Sequence, residues 1–306
     1  MTNPLTIIYI TSKGHSGSTL LDLLISSHSQ VTSLGEIKVL SAGRKKSRQS
    51  MLEHRCTCGS NSIIDCLFWQ DVEQLSGTPL QEMDVDSEDP VIFKQHNQAI
   101  FQAAATVSGC EFIIDSSKDI HRLQKLLAIK DFNILPIHLV RHPGGVAYSN
   151  IKRGRNWLIS TRQYVASFMR TRRFLENRHS FTIYYEELAS APQQTLTKLM
   201  KWLELPFQEM HLNWKSTPHH NIAGNKMRFS GDSQIKLDNE WEKKLSRIQK
   251  ITIAWMTLPI RYSSSRLYYL FTPAWQLQGF GKWFAKSTKH WRKELRRQKK
   301  FKKKFK

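Results

Sequence analysis

Four short apolar runs punctuate the chain: Leu5-Thr-Ile-Ile-Tyr-Ile10, Glu111-Phe-Ile-Ile-Asp115, Asn133-Ile-Leu-Pro-Ile-His-Leu-Val140 and Phe181-Thr-Ile-Tyr-Tyr185. Each is rich in β-branched or aromatic residues and leads into polar sequence, as strands buried on both faces of a parallel sheet do. Helical periodicity follows the first run from about Ser18 and returns over Trp157–Arg178, Gln193–Leu203 and Asn239–Met256. Strands alternating with helices predict an α/β fold of three layers around a central parallel sheet, whose ligands sit at the carboxyl ends of the strands. Between the first two strands lie helical segments and a loop, Arg55–Trp69. No internal repeat is visible and no boundary interrupts the pattern before about Ser265, so one domain is expected over residues 1–264 and an extension over 265–306.

Charge sharpens that division. The formal charge is +21, and from Lys282 to Lys306 thirteen Lys or Arg stand against one acid, Glu294. The remaining sequence is still basic, a field that favours anionic ligands. In the extension, Trp275, Phe280, Trp283, Phe284 and Trp291 interleave with the charges. That mixture suits an anionic membrane surface or a solvated basic tail, with nucleic acid a weaker third reading. No run reaches the length of a transmembrane span and the first residues do not read as a signal peptide, so a cytoplasmic protein is expected, peripheral to the membrane if the tail binds lipid. Four cysteines in 306 residues make no disulfide scaffold.

The candidate chemistry begins after the first strand, in Ser12-Lys-Gly-His-Ser-Gly-Ser-Thr-Leu-Leu21. Gly14 and Gly17 permit a tight turn, backbone N–H groups can converge at the start of the next helix, and Ser16, Ser18 and Thr19 add hydroxyls. The reading is a P-loop-like phosphate-binding loop. An ATP or GTP loop would carry lysine where Ser18 stands. Its absence argues against a P-loop kinase and for a donor with a single 5′-phosphate linkage, used without metal. The third strand ends in Arg141-His-Pro-Gly-Gly-Val-Ala-Tyr-Ser149. Pro143 suits a helix start, and the Arg141 fork with the Ser149 hydroxyl suits a second phosphate. Two phosphate sites on two strand ends imply a nucleotide phosphorylated at both ends of its ribose.

These motifs together resemble the sulfotransferases that use 3′-phosphoadenosine 5′-phosphosulfate (PAPS). Ser12–Leu21 is similar to the family's 5′-phosphosulfate loop and Leu139–Ser149 to its 3′-phosphate motif. Asp115-Ser-Ser-Lys118, Tyr184–Leu188 and the late loop His219–Phe229 are similar to strings elsewhere in the family, so the resemblance runs from about Leu5 to Trp241. It implies sulfonate transfer from PAPS to an acceptor hydroxyl of a glycan, glycolipid or other alcohol, nearer the carbohydrate and protein-tyrosine type than the cytosolic small-molecule type. It also implies residue roles. Glu36, in Ser33-Leu-Gly-Glu36, would be the general base, with His121 the alternative base and a surface charge the bland reading. Lys118 would contact the bridging oxygen or sulfonate, assisted by Ser117. His15 occupies a position commonly Arg or Lys in the family, so either it is protonated, with Lys13 sharing the role, or it is a neutral donor shaping the loop. Tyr185, Arg228 and Gly224 would approach the nucleotide, Tyr185 having packing as its plainer role.

No metal is expected for the transfer. Cys56, Cys58 and Cys66 could take zinc with His54 as fourth ligand, but the spacing matches no familiar finger, and reduced thiols are the favoured reading. A non-catalytic binder of polyanions or membranes would explain the charge without explaining the paired motifs.

Overall fold

A computed structural model describes residues 4–258 and 260, apart from 42, 44 and 230–232. The basic tail and the boundary expected at 264/265 lie outside the described residues. In chain order the regular elements are β1 (Leu5–Ser12), α1 (Ser18–Ile25), β2 (Val31–Ser33), α2 (Lys45–Leu52), α3 (Leu67–Ser76), α4 (Pro90–Ser108), β3 (Phe112–Lys118), α5 (Ile120–Leu126), β4 (Phe132–Val140), α6 (Pro143–Ile151), α7 (Trp157–Leu175), β5 (Phe181–Tyr184), α8 (Tyr185–Ser190), α9 (Pro192–Trp202), α10 (Glu240–Lys244) and α11 (Arg247–Met256). Short 3-10 turns punctuate the loops, the first at Ile37–Leu40.

All five strands run parallel in the order β2-β3-β1-β4-β5. Successive side chains of a strand face opposite ways, and the core divides accordingly. Ile7, Tyr9 and Ile113 pack with Trp69, Phe93, Ile100 and Leu123 on one face. Ile8, Ile10 and Ile114 pack with Leu21, Leu24, Leu196 and Met200 on the other. The three expected layers are present. α6, α7, α10 and α11 form a further group beside them, joined through small clusters around Val146–Tyr164 and Ala147–Leu245.

Pro136 lies inside a strand, yet it costs little. β5 joins β4 only from Ile137 onward, so at Pro136 the outer side of β4 is still an edge and no partner waits for the missing N–H. Two differences from the sequence reading are informative. The helix expected over Asn239–Met256 is two helices, because Ser246 accepts from the Gln249 N–H while the Gln249 side chain accepts from the Ser246 N–H, a capping box that starts α11 afresh. The edge strand β2 was not anticipated, since Val31-Thr-Ser33 is too short to carry a period.

The chain leaves β1 for the β3–β2 side and later returns to the β4–β5 side. The crevice beyond the carboxyl end of β1, between β3 and β4, is therefore the switch point where such folds place ligands.

Candidate active site

Three strand ends build this crevice. β1 ends at Ser12 and α1 starts at Ser18, so five residues make the turn. His15 and Gly17 both take left-handed backbone, φ 73° and 92°. Gly17 has no room for a side chain: a Cβ would stand 2.6 Å from the Tyr185 ring. A Cβ on Gly14 would meet nothing within 4 Å. Inside the turn the Ser16 hydroxyl is buried with no partner, and so is that of Ser12. Buried hydroxyls are nearly always satisfied, so two orphans beside a helix N-terminus mark where an anion's oxygens would fit. Ser18 is buried at the first turn of α1, and the Thr19 Oγ1 accepts from the Asn225 N–H at 2.9 Å.

Arg141 follows the last residue of β4, buried with its charge. Its guanidinium donates to the His15 carbonyl at 3.0 Å, pairs with the Asp238 carboxylate at 2.9 Å and lies 4.4 Å over the Tyr185 ring. Its Nε has no partner. The two glycines after Pro143 have separate reasons. A Cβ on Gly144 would strike Trp241, which stacks on His142 at 4.2 Å, and a Cβ on Gly145 would come within 2.8 Å of that Arg141 Nε. The strand end is braced by Tyr164, whose hydroxyl donates to the Arg141 carbonyl, and by Glu186, which accepts from the His142 N–H. Ser149 is buried two turns along α6, where its hydroxyl accepts from Arg153 at 2.9 Å.

β3 ends at Lys118, itself in left-handed backbone at φ 66°, and its ammonium is ion-paired with the Glu36 carboxylate. The two residues proposed from distant motifs thus meet. Glu36 reaches this place through a tight passage. The Gly35 carbonyl accepts from Ser116, the Glu36 N–H donates to the Ile222 carbonyl, and a Cβ on Gly35 would lie 2.5 Å from that same oxygen. The Ser117 hydroxyl accepts from the Lys38 N–H at 3.1 Å, which leaves its own O–H free to donate. Asp115, in the same string, is fully buried against Arg122 at 2.7 Å.

The remaining candidates sort by contact. His121 opens α5, where the Asp119 carboxylate caps its N–H, and Asp119 is ion-paired with Lys38. Burial works to raise the Asp119 pKa, but Lys38 outweighs it and holds the carboxyl at about 2. Tyr185 is buried between Gly17 and Arg141, and its hydroxyl accepts from the Asp238 N–H, so its ring packs between the 12–19 turn and the end of β4. Arg228 is buried with an orphan Nε, beside Gly224, which in turn packs on Thr19. Lys13 lines a small cavity with His138 and Tyr164. His54 is exposed and stands outside the group formed by Cys56, Cys58 and Cys66, whose neighbour is His220.

Electrostatics answers the question His15 raised. Burial, then Arg153, Arg155, Lys118 and Lys13, press its pKa down to about 4, so the imidazole is neutral near pH 7. Arg153 and Arg155 escaped the sequence reading, though Arg153 stands four positions after Ser149, one helical turn away. Asp22 escaped it too. This carboxyl is enclosed within α1, burial raises its pKa to about 6, and the Asn221 amide donates to it at 2.9 Å. A charged residue in Leu-Leu-Asp-Leu-Leu-Ile was the available signal, because a helix apolar all round has no solvent face on which to place it.

The family model described as "Sulfotransferase family" matches residues 8–209. Among solved structures, the sulfotransferase domain of the Synechococcus PCC 7002 olefin synthase is similar over 83% of this chain and 95% of its own, at TM-score 0.54 and 20% identity. The sulfotransferase domain from the curacin biosynthetic pathway is similar over 86% of this chain and 99% of its own, at TM-score 0.55 and 19% identity. No curated protein sequence matches. No helix among the described residues is long and apolar enough to cross a membrane.

Proposed function

Since the chain belongs to the sulfotransferase family, we propose that it transfers a sulfonate from PAPS to the hydroxyl of a glycan, glycolipid or other alcohol, with Glu36 as base. The observation that carries this reading is the Glu36–Lys118 ion pair at the end of β3, next to the turn that leaves the Ser16 hydroxyl buried and unpartnered. The 5′ end of the donor would take the Ser16 hydroxyl and the N–H groups of the 13–19 loop. Its 3′-phosphate would take the unpartnered Arg141 Nε, Ser149 and Arg153, the missing Cβ of Gly145 leaving that Nε uncrowded. The late-loop Arg228 and Gly224 would close on the nucleotide.

In the transfer, the acceptor hydroxyl gives its proton to the Glu36 carboxylate as its oxygen forms the new bond to sulfur. The bond from sulfur to the bridging oxygen breaks, and adenosine 3′,5′-bisphosphate leaves with the electron pair. Lys118 neutralises charge on the bridging oxygen and holds Glu36 aimed until the acceptor arrives. A neutral His15 donates a hydrogen bond at first. The incoming anions offset the four cations around it, so it gains positive charge as the nucleotide binds. His121, with Asp119 and Lys38 as its neighbours, is left as the second candidate for the base.

The test pairs calorimetry with turnover. Adenosine 3′,5′-bisphosphate should bind the full chain and bind Arg141→Ala much more weakly; equal binding by both removes the nucleotide reading. Labelled PAPS incubated with glycan, glycolipid and alcohol acceptors without divalent metal should yield a sulfated product. The tail is proposed to hold a cytoplasmic enzyme at anionic lipid, and cosedimentation with anionic but not neutral vesicles would check it.

A further inference from the structure

Away from the proposed donor and acceptor groups, three cysteines and one histidine converge. Cys56, Cys58 and Cys66 come from the loop between α2 and α3, and His220 comes from the late segment more than 150 residues on. Their ligand atoms all lie within 4.8 Å of one another. The Cys66 Sγ is 3.2 Å from the His220 Nδ1, the Cys56 Sγ is 4.0 Å from it, and the Cys58 and Cys66 sulfurs are 3.6 Å apart. A tetrahedral zinc with ligands at about 2.3 Å (S) and 2.0 Å (N) sets sulfurs about 3.8 Å apart and sulfur about 3.5 Å from nitrogen. The observed spacings bracket those edges, whereas a disulfide needs about 2.05 Å between sulfurs.

The surroundings hold each ligand in place. Gly59, at φ 110°, turns the chain between Cys58 and Ser60, and the Cys56 N–H donates to the Ser60 carbonyl. His220 is stacked on Phe68 at 4.5 Å, and its carbonyl accepts from the Trp69 indole at 2.7 Å. The ring is thus fixed with Nδ1 towards the sulfurs. A thiol–thiol cluster alone would not require a histidine ring delivered from another part of the chain. One disulfide among the three cysteines would leave an odd thiol and His220 without a role.

We propose that Cys56, Cys58, Cys66 and His220 form a structural Zn²⁺ site that clamps the 56–66 loop to the late segment. All four positions are protein ligands, so the ion is closed to substrate and has no part in sulfonate transfer. Three thiolates and a neutral imidazole around Zn²⁺ leave a net charge of −1. The consequence reaches the active site through two residues of chain. Ile222, two positions after His220, forms the bridge to Gly35 and accepts the Glu36 N–H. Metal loss would therefore free the segment that fixes the position of Glu36.

The test is elemental analysis of the full chain purified in a phosphine reductant, followed by replacement of zinc with cobalt. About one zinc per chain is expected, and the cobalt form should show the sulfur-to-metal charge transfer and the visible bands of a tetrahedral site. His220→Ala and Cys58→Ser should lose most of the metal, while His54→Ala should keep it. His220→Cys retains four ligands, so it should hold cobalt and gain charge-transfer intensity even if the alanine variant folds badly. Chelation should speed hydrogen exchange across 219–225. Less than about a tenth of an equivalent after reconstitution, or a cobalt spectrum indifferent to position 220, overturns the site. So does a Cys58–Cys66 disulfide in protein that takes up no metal.

Discussion

Two segments meet on the first turn of α1, and they are built in opposite ways. The 12–19 loop is a local object: a strand end, a turn with two left-handed residues, and a helix start, all within a few positions of one another. The 219–225 segment has no regular structure beyond one bridge and is held entirely from afar. Ser26 bonds His219 at 3.0 Å, Trp69 bonds the His220 carbonyl, Ser33 and Asp22 accept from the Asn221 amide, and Thr19 accepts from the Asn225 N–H. The first segment presents groups for an anion. The second has few groups free to present, and its work is to set where Glu36 stands. Under the proposed mechanism, binding and base placement fall to separate pieces of chain, and separate perturbations should reach them.

The largest effect should come from the pair on which the second segment acts. Glu36→Gln and Lys118→Ala should each lower kcat by about 10²- to 10⁴-fold, the usual span for losing a general base or a charge stabiliser. Affinity for adenosine 3′,5′-bisphosphate should change little in Glu36→Gln if the carboxylate is the acceptor's base, as proposed. Single-turnover kinetics at saturating PAPS would show it. Near-normal turnover in the glutamine variant would shift the base to His121 and dissolve the division of labour.

Next comes the phosphate side. Arg141→Ala should weaken the bisphosphate by about 3 kcal/mol, roughly 100-fold, as expected for a charge-assisted hydrogen bond lost from a buried site. Arg141→Lys should recover little, because a lysine cannot reproduce a fork that spans His15, Asp238 and a phosphate. Titration calorimetry reads both. If the lysine variant binds normally, Arg141 contributes only its charge.

A glycine pair gives a smaller and more diagnostic contrast. Gly35→Ala forces a Cβ to 2.5 Å from the Ile222 carbonyl at φ 70°, so the second segment must move. It should cost about 3 kcal/mol of stability and lower kcat with it. Gly14→Ala meets open space and should leave thermal unfolding almost unchanged, any loss appearing as weaker nucleotide binding. Equal behaviour of the two variants in unfolding and kinetics would mean the segments are not separable.

The same contrast explains what could be read in the sequence. Four of the five strands were legible because each holds a short, mostly apolar run, and the 12–19 and 141–149 motifs were legible because their geometry is a matter of near neighbours. Lys118, at the end of β3, could be named because Asp115–Lys118 resembles a string of the family. What escaped was made by tertiary contact. Ser246 restarts a helix that periodicity carries straight through. His220 stands 154 positions from Cys66, so a search along the sequence found the neighbouring His54 instead. Nothing in the local pattern around Asn221 hints that it ties a buried Asp22 to Ser33.

The smallest effect is the one whose sign is most easily mistaken, and it concerns both segments at once. His15 in the loop, His219 in the late segment and His138 in β4 are each held down to about 4, burial being the first cause in every case. Between about pH 4 and the ordinary histidine value near 6.5, the unfolded chain therefore binds protons that the folded chain refuses. Their contribution to stability is complete above about 6.5 and is lost as the pH falls towards 4. Asp22 opposes them, since a carboxyl raised to about 6 favours the folded state at the acid end of that interval. Three imidazoles against one carboxyl leave a net fall, so the melting temperature should decline from pH 7 to pH 4.5. With bisphosphate bound, cations that press on His15 are offset and its pKa rises, so binding takes up protons and the affinity strengthens as the pH falls through that new value. Calorimetry in two buffers of different ionisation enthalpy should show uptake of a fraction of a proton near pH 6.5. His15→Asn should abolish most of that uptake while leaving the melting-temperature decline set by His138 and His219 largely in place. If uptake persists in His15→Asn, the proton goes elsewhere and the loop histidine is only a shape.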